Sequence, residues 1–324
     1  MGATLYGVPY QGSKNAIAEK IVSILPAAEN FYDLFAGGCA ITHRAIIDGR
    51  WNNYIVNDID SVPNLFFDAV SGKYENEKRW ISRDDFNSLK DNDLYVSICW
   101  SFGNNRKGYL YSKEIEPWKK ALHYARVLGD NSLLRDFDIN SDGSTKNIKK
   151  HHDEYKDKYI KWYIKNVQDN NFCGKINTDL SRLQHLEGLK NLQRLEHLER
   201  LKNLQRLEHL ERLKAYKQSL EISQKSYDEV EIKHNSVIYC DIPYENTKGY
   251  SCGDFDFKKF YDWASNQKEL VFISSYNITD ERFEEAEAWS KMIQFSQTNT
   301  KGCEKLYVPK GQGKRCPITL LDLL

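Results

Sequence analysis

The chain has 324 residues, 40% hydrophobic and 28% charged, with 46 basic side chains balancing 46 acidic ones. That is enough chain to bury a full core as one large domain or two smaller ones, and the composition excludes a disordered or fibrous protein. No apolar run approaches the roughly 18 residues of a membrane span. The opening MGATLYGVPYQGSKNA lacks a charged-then-apolar leader. Tyr6 stands where a myristoylation motif wants Ser or Thr. A cytoplasmic protein with no membrane partner is expected. Cys39, Cys99, Cys173, Cys240, Cys252, Cys303 and Cys316 are scattered singly with no CxxC. This pattern speaks against a zinc site or disulfide framework and for reduced thiols.

In chain order, residues 12–25 read as a helix, with Ile17, Ile21, Ile24 and Leu25 at helical spacing and Ser13 as cap. NFYDLFAGGCAITHRAIIDG then gives a short strand, a glycine turn and a helix from about Ala40 to Ile47. WNNYIVNDIDSVPNLFFDAV repeats the form, with a strand over 54–56, an acidic turn and a helix. Such alternation predicts an α/β fold with a Rossmann-like, mostly parallel sheet. Residues 81–180 change character, being rich in Asn, Lys, Tyr and Trp and poor in strand runs. They read as a mainly helical insertion. INSDGSTKN is a loop by composition, and KDKYIKWYIKNV is a basic aromatic helix.

Residues 181–214 hold a tandem repeat, in which LQRLEHLERLKN (192–203) returns as LQRLEHLERLKA (204–215). Leucine falls at every third position from Leu183 to Leu213. On a straight α-helix a period of 3 drifts by about 60° per leucine, so the expectation is a spiral and no single apolar stripe. A coiled coil is disfavoured. His185, His197 and His209 recur only with the repeat, and their spacing of 12 puts them on different helix faces, so no metal site is expected. The near-identical copies read as a tolerated insertion. Afterwards SVIYCDIPY and KELVFISSYN give further strands, separated by a helix over about 257–266, and SKMIQFSQTN with CEKLYVPKG forms a terminal antiparallel hairpin. The expected domains are therefore 1–80 with 215–324, the insertion 81–180, and the repeat 181–214.

Neutrality overall hides local imbalance. Residues 104–165 carry fourteen Lys and Arg against nine Asp and Glu, and 301–315 carry five against one. A polyanion-binding face has this signature, as does an ordinary solvated surface.

Three short motifs carry chemistry. In DLFAGGC (33–39), Gly37 and Gly38 let the backbone approach a ligand at the carboxyl end of the first strand. The spacing is not G-x-G-x-x-G, which disfavours a dinucleotide. In IVNDID, Asp58 ends the second strand about 20 residues later, where an acid binds ribose hydroxyls or caps a helix. In DIPY, Asp241 ends a strand, Pro243 stiffens the turn, and Tyr244 sets a ring beside a carboxylate. That pair suits a planar ring with an amino group, one partner accepting N–H and the other stacking.

Together these motifs resemble the Dam-type adenine-specific DNA methyltransferases, whose Asp-Pro-Pro-Tyr motif is similar to Asp-Ile-Pro-Tyr here. YGVPYQGSKNAIAEKIVSILP is similar to that family's N-terminal motif, and LVFISSYN and KLYVPKG resemble its later strands. The resemblance covers roughly 1–75 and 220–324. The middle matches in position only, where the family keeps its target-recognition domain. The resemblance implies that Tyr10, Lys14, Asp33, Phe35, Gly37, Asp58 and Asp241 bind S-adenosylmethionine. It implies a catalytic pocket of Asp241, Ile242, Pro243 and Tyr244, with no metal. Ile242 replaces the usual proline but can still offer its main-chain carbonyl. Asp241 and that carbonyl would each accept one N–H of the adenine amino group, aiming its lone pair at the methyl donor. The partner implied is double-stranded DNA. In WSFGNNRKGYLYSK, Asn104, Asn105, Arg106 and Lys107 are candidates for base and phosphate contacts. The residues themselves do not point to a cognate restriction endonuclease. A transferase for cytosine, RNA or a glutamine amide, or a non-catalytic DNA-binding or assembly protein built on the leucine repeat, are the alternative readings.

Overall fold

The computed structural model describes residues 6–113, 116–137, 206–207, 209–245, 255–295 and 298–312, without the side chains of 126 and 290–303. The chain divides into two compact units, Met1–Glu75 with Arg206–Leu324, and Asn76–Gln205. The repeat is thus split, its last nine residues belonging to the first unit. KDKYIKWYIKNV, INSDGSTKN and the repeat up to residue 205 lie outside the described residues.

The first unit is built on seven strands: β1 (Asn30–Asp33), β2 (Asn53–Asn57), β3 (Leu220–Ser223), β4 (Ser236–Cys240), β5 (Leu270–Ser275), β6 (Phe283–Phe295) and β7 (Thr298–Pro309). They lie in the order β3-β2-β1-β4-β5-β7-β6. The first five are parallel, and β7 runs antiparallel to both β5 and β6. This is the expected Rossmann-like, mostly parallel sheet with its terminal antiparallel hairpin. Every residue of β1 and β4 is buried, as a parallel sheet covered on both faces requires. The strand sequence steps outward in both directions from β1 and β4. Between them lies the switch point where open α/β sheets bind ligands.

The helices of this unit are α1 (Ala18–Ile24), α2 (Ala40–Asp48) and α3 (Val62–Val70). The second unit contributes α4 (Arg83–Leu89), α5 (Leu94–Cys99) and α6 (Glu116–His123), and α7 (Phe257–Ser265) returns to the first. The helix expected over 12–25 opens as a 3-10 turn, Lys14–Ala16, with Ser13 Oγ accepting from the Asn15 N–H at 3.3 Å. β6 begins earlier than expected, at Phe283. Phe283 is buried while Glu284 and Glu285 are exposed, and a bulge falls between Glu285 and Glu287. β3 had no sequence expectation. It is four residues long and half-exposed at an edge, so its apolar signal is only Leu220 and Ile222.

The described tail of the repeat, residues 206–207 and 209–214, packs its leucines inward. Leu207 and Leu210 are fully buried and Leu213 nearly so. From Glu211 to Ser219 the chain winds as a 3-10 helix. That helix has 3.0 residues per turn, so side chains at i and i+3 eclipse. Leu213 lies on this 3-10 segment, while Leu207 and Leu210 precede it on α-helical residues.

The second unit is held by rings. Trp80 stacks on Tyr111 with an interplanar angle of 3°, and Trp100 on Tyr109 at 10°. Arg83 lies 4.9 Å from the Tyr109 ring centroid. Ser82 and Asp85 form a reciprocal capping box on α4, and Asp93 caps α5.

Candidate active site

The glycine turn after β1 is shaped by the segment before α1. The Val8 N–H donates to the Gly38 carbonyl at 2.8 Å. A side chain at Gly38 would begin 2.9 Å from the Val8 carbonyl oxygen and 2.7 Å from Tyr10 Cβ, so only glycine fits. Gly7 has φ +67° and faces the Gly38 carbonyl, a second position closed to side chains. The Tyr10 ring lies against Gly37. Two residues absent from the sequence expectations fix this segment. His43 on α2 accepts the Gly7 N–H through Nδ1 at 2.9 Å, and burial pushes its pKa down to about 3, so the ring stays neutral. Arg206, from the last copy of the repeat, donates to the Gly7 carbonyl at 2.7 Å and to the Tyr6 carbonyl.

Three carboxylates end three adjacent strands, Asp33 on β1 and Asp58 and Asp241 one residue past β2 and β4. Asp33 is 1% exposed. Its Oδ2 accepts from the Thr42 hydroxyl at 2.6 Å and the Thr42 N–H at 3.3 Å, whereas its buried Oδ1 has no hydrogen-bond partner among the described residues. Burial, reinforced by the charges of Asp241 and Asp58, pushes its pKa up to about 7 against the pull of Thr42. Asp58 ties the glycine turn to β2, accepting the Gly37 N–H at 2.7 Å and the Asp60 N–H at 2.8 Å. Burial raises its pKa too. Phe35 is half-buried. Its ring stacks on Tyr227 at 5.6 Å and meets Phe255 and Phe260 edge-on, so it belongs chiefly to an aromatic cluster beneath the crevice.

The Asp-Ile-Pro-Tyr segment meets the N-terminal motif directly. Lys14 Nζ is 2.6 Å from Asp241 Oδ1 and donates to the Tyr244 hydroxyl at 2.5 Å, across 230 residues of sequence. Tyr244 in turn donates to Glu304 on β7, at 2.9 and 3.1 Å from the two carboxylate oxygens. Burial, then the charges of Asp241 and Glu304, drives the Tyr244 pKa far up, so the phenol keeps its proton. Tyr276, just past β5, lies with its ring 4.1 Å from that of Tyr244. Ile242 is 1% exposed and its side chain joins the core cluster with Leu34, Phe260 and Ile273. Packing thereby fixes a turn that lacks the usual first proline.

Of the candidate DNA residues, Asn104, Asn105, Arg106 and Lys107 share one tight loop of the second unit. Ser101 pairs with Tyr109, and the Phe102 N–H donates to the Gly108 carbonyl at 2.8 Å. Asn104 and Arg106 adopt positive φ. The Asn104 amide donates to the Ile98 carbonyl at 3.0 Å, Asn105 accepts the Lys107 N–H, and Ser101 Oγ accepts the Arg106 N–H. The two asparagines therefore shape the loop as well as line it. Beside them Phe102 is 62% exposed, an aromatic ring presented to solvent that the sequence reading passed over.

Fold and site together define an α/β methyltransferase. The family model of the D12 class N6 adenine-specific DNA methyltransferases matches residues 10–184, more than half of the chain. The chain belongs to that family, and it is an adenine-specific DNA methyltransferase. Membership decides for adenine in DNA over cytosine, RNA or glutamine, and against a non-catalytic role. No curated protein sequence matches the chain. The matched stretch stops before Asp241, and the contact of Lys14 with Asp241 is what joins the two. No helix among the described residues is long and apolar enough to cross a membrane.

Proposed function

We propose that the chain transfers the methyl group of S-adenosylmethionine to the exocyclic amino group of adenine, within a specific short sequence of double-stranded DNA. The observation that carries this reading is the meeting of Lys14, Asp241 and Tyr244 at the switch point of the sheet. The residues present fit the cofactor. Among the described residues Asp33 keeps a buried oxygen without a donor, suited to a cationic or hydroxyl-bearing ligand. Gly37 and Gly38 keep the turn bare, and Asp58 ends β2 where ribose hydroxyls bind in such sheets. Tyr10, Lys14, Asp33, Phe35, Gly37, Asp58 and Asp241 would hold it, and when bound it supplies an electrophilic methyl group.

The chain's own part is placement. Asp241 and the Ile242 carbonyl each accept one N–H of the target amino group, turning its lone pair toward the methyl group. The base leaves the duplex at a cost of a few kcal/mol. Stacking on Tyr244, on the side away from Tyr276, offsets on the order of 1–3 kcal/mol of that. Asn104, Asn105, Arg106 and Lys107 read or hold the duplex, with Phe102 available for stacking. The test is modified-base sequencing of DNA from cells expressing the chain, alongside titration of S-adenosylmethionine into the purified protein. N6-methyladenine confined to one short sequence, with saturable cofactor binding, is expected. Absence of either contradicts the proposal.

A further inference from the structure

We infer that Glu304 is a positioning residue for methyl transfer: from β7 it sets the Tyr244 hydroxyl and the Lys14 ammonium, and through Lys14 the carboxylate of Asp241. The inference rests on the functional reading above and extends it to a residue in none of the motifs that carried it.

Glu304 is wholly buried, next to Lys305, Leu306 and Tyr307 on a strand inside the sheet. Removing a carboxylate from water costs several kcal/mol, and well-packed apolar residues in place of buried ion pairs are often neutral or stabilising. Stability alone therefore gives no reason for a glutamate here. Its contacts give one. The carboxylate accepts from Tyr244 at 2.9 and 3.1 Å and from Ser274 Oγ at 3.3 Å, and lies 3.5 Å from Lys14 Nζ.

A phenol has one proton to donate. Because Glu304 takes it, the lone pairs of the Tyr244 oxygen are left to receive Lys14, at 2.5 Å. The ring that would carry the extruded base is thereby pinned at its hydroxyl end, while Tyr276 covers one side. Lys14 is itself 5% exposed, with Asp241 at 2.6 Å and Glu304 at 3.5 Å. With Glu304 present, its positive charge is shared between two carboxylates. With Glu304 neutral, more of that charge falls on Asp241, where Lys14 competes with the adenine N–H for the same acceptor.

The experiment compares Glu304→Gln, Glu304→Leu, Tyr244→Phe and the Gln/Phe double variant in the full chain. It reads kcat, KM for S-adenosylmethionine and for DNA, and the melting temperature. Glu304→Gln is expected to lower kcat by about 10–100-fold, the scale of a small displacement of a reacting group, with KM for the cofactor within about threefold of wild type. The melting temperature of the near-isosteric Glu304→Gln is expected to stay close to that of wild type while transfer is slow, whereas Glu304→Leu, which leaves Tyr244 and Ser274 without their acceptor, is expected to melt lower. The double variant is expected to be no slower than its slower parent, because both changes cut one relay. Wild-type kcat in Glu304→Gln, or losses that multiply in the double variant, overturn the inference. So does a loss of activity that follows melting temperature alone. If Glu304→Leu fails to fold, the Gln variant and the cycle still decide. A wild-type chain that methylates no adenine overturns the functional reading and this inference together. An active wild type with an equally active Glu304→Gln overturns the inference only.

Discussion

Asp33 and Glu304 are both carboxylates removed from water, on opposite sides of β4 and β5 in one sheet, and they are satisfied differently. Every partner of Glu304 is already in the protein, namely Tyr244, Ser274 and Lys14. Asp33 has donors on Oδ2 only, and its other oxygen is buried without one among the described residues. A buried acceptor left without a donor costs about 1–3 kcal/mol. The difference teaches which side of the crevice is built to receive something and which is built to hold something still.

Replacing the incomplete carboxylate has the larger expected effect. Asp33→Asn should weaken S-adenosylmethionine binding by about 10–100-fold, the loss of one charged hydrogen bond. The pH dependence sharpens the point. Asp33 is raised to about 7 in the folded chain, above its unfolded value, so the folded state holds a proton there that the unfolded state has already lost. Stability from this group is greatest below about pH 4 and falls as pH rises toward 7. The melting temperature of Asp33→Asn relative to wild type should therefore rise between pH 5 and pH 8. Cofactor affinity of the wild type should strengthen over the same interval, and that of the variant should stay flat. Calorimetric titration and thermal melts at three pH values measure both.

Thr42→Val tests the satisfied half of the same residue. It removes the hydroxyl donor at 2.6 Å and should destabilise the chain by about 1–3 kcal/mol above pH 7, where Asp33 is ionised, and by less at pH 5. Ser274→Ala on the other side removes a 3.3 Å contact from a carboxylate that keeps its remaining partners. Its expected cost is about 1 kcal/mol or less, with kcat within about threefold of wild type. A larger loss there than in Thr42→Val would reverse the comparison.

Legibility in the sequence followed how local each signal was. Asp33 ends β1, and Asp58 and Asp241 follow β2 and β4 by one residue, each close behind an apolar run, so strand and site announced one another. Glu304 gave no such signal. CEKLYVP reads as any strand with a polar residue in it, and its meaning lies in Tyr244, 60 residues away, and in Lys14. Ile242 drew notice as a departure from a motif, yet its burial in the core was visible only in three dimensions. The leucine repeat is legible in another way: its period is plain in the sequence, and of its leucines Leu207, Leu210 and Leu213 are described, all buried, the first two on α-helical residues and the third on a 3-10 segment.

That tail also limits how freely the repeat can be removed. Leu207, Leu210 and Arg206 are built into the first unit, so deletion of residues 183–214 should abolish folding. Removal of residues 192–203 alone leaves an identical LQRLEHLERLK before β3. That twelve-residue deletion should leave both melting temperature and methyl transfer unchanged, the smallest effect expected here.

The central claim is that Asp241, held by Lys14, places the adenine amino group for transfer. It is tested most directly by methyl transfer from labelled S-adenosylmethionine to DNA by the full chain and by Asp241→Ala. The account predicts N6-methyladenine from the wild type, and a variant that melts as the wild type does yet transfers at least about 1000-fold more slowly. Transfer by Asp241→Ala at the wild-type rate would contradict it.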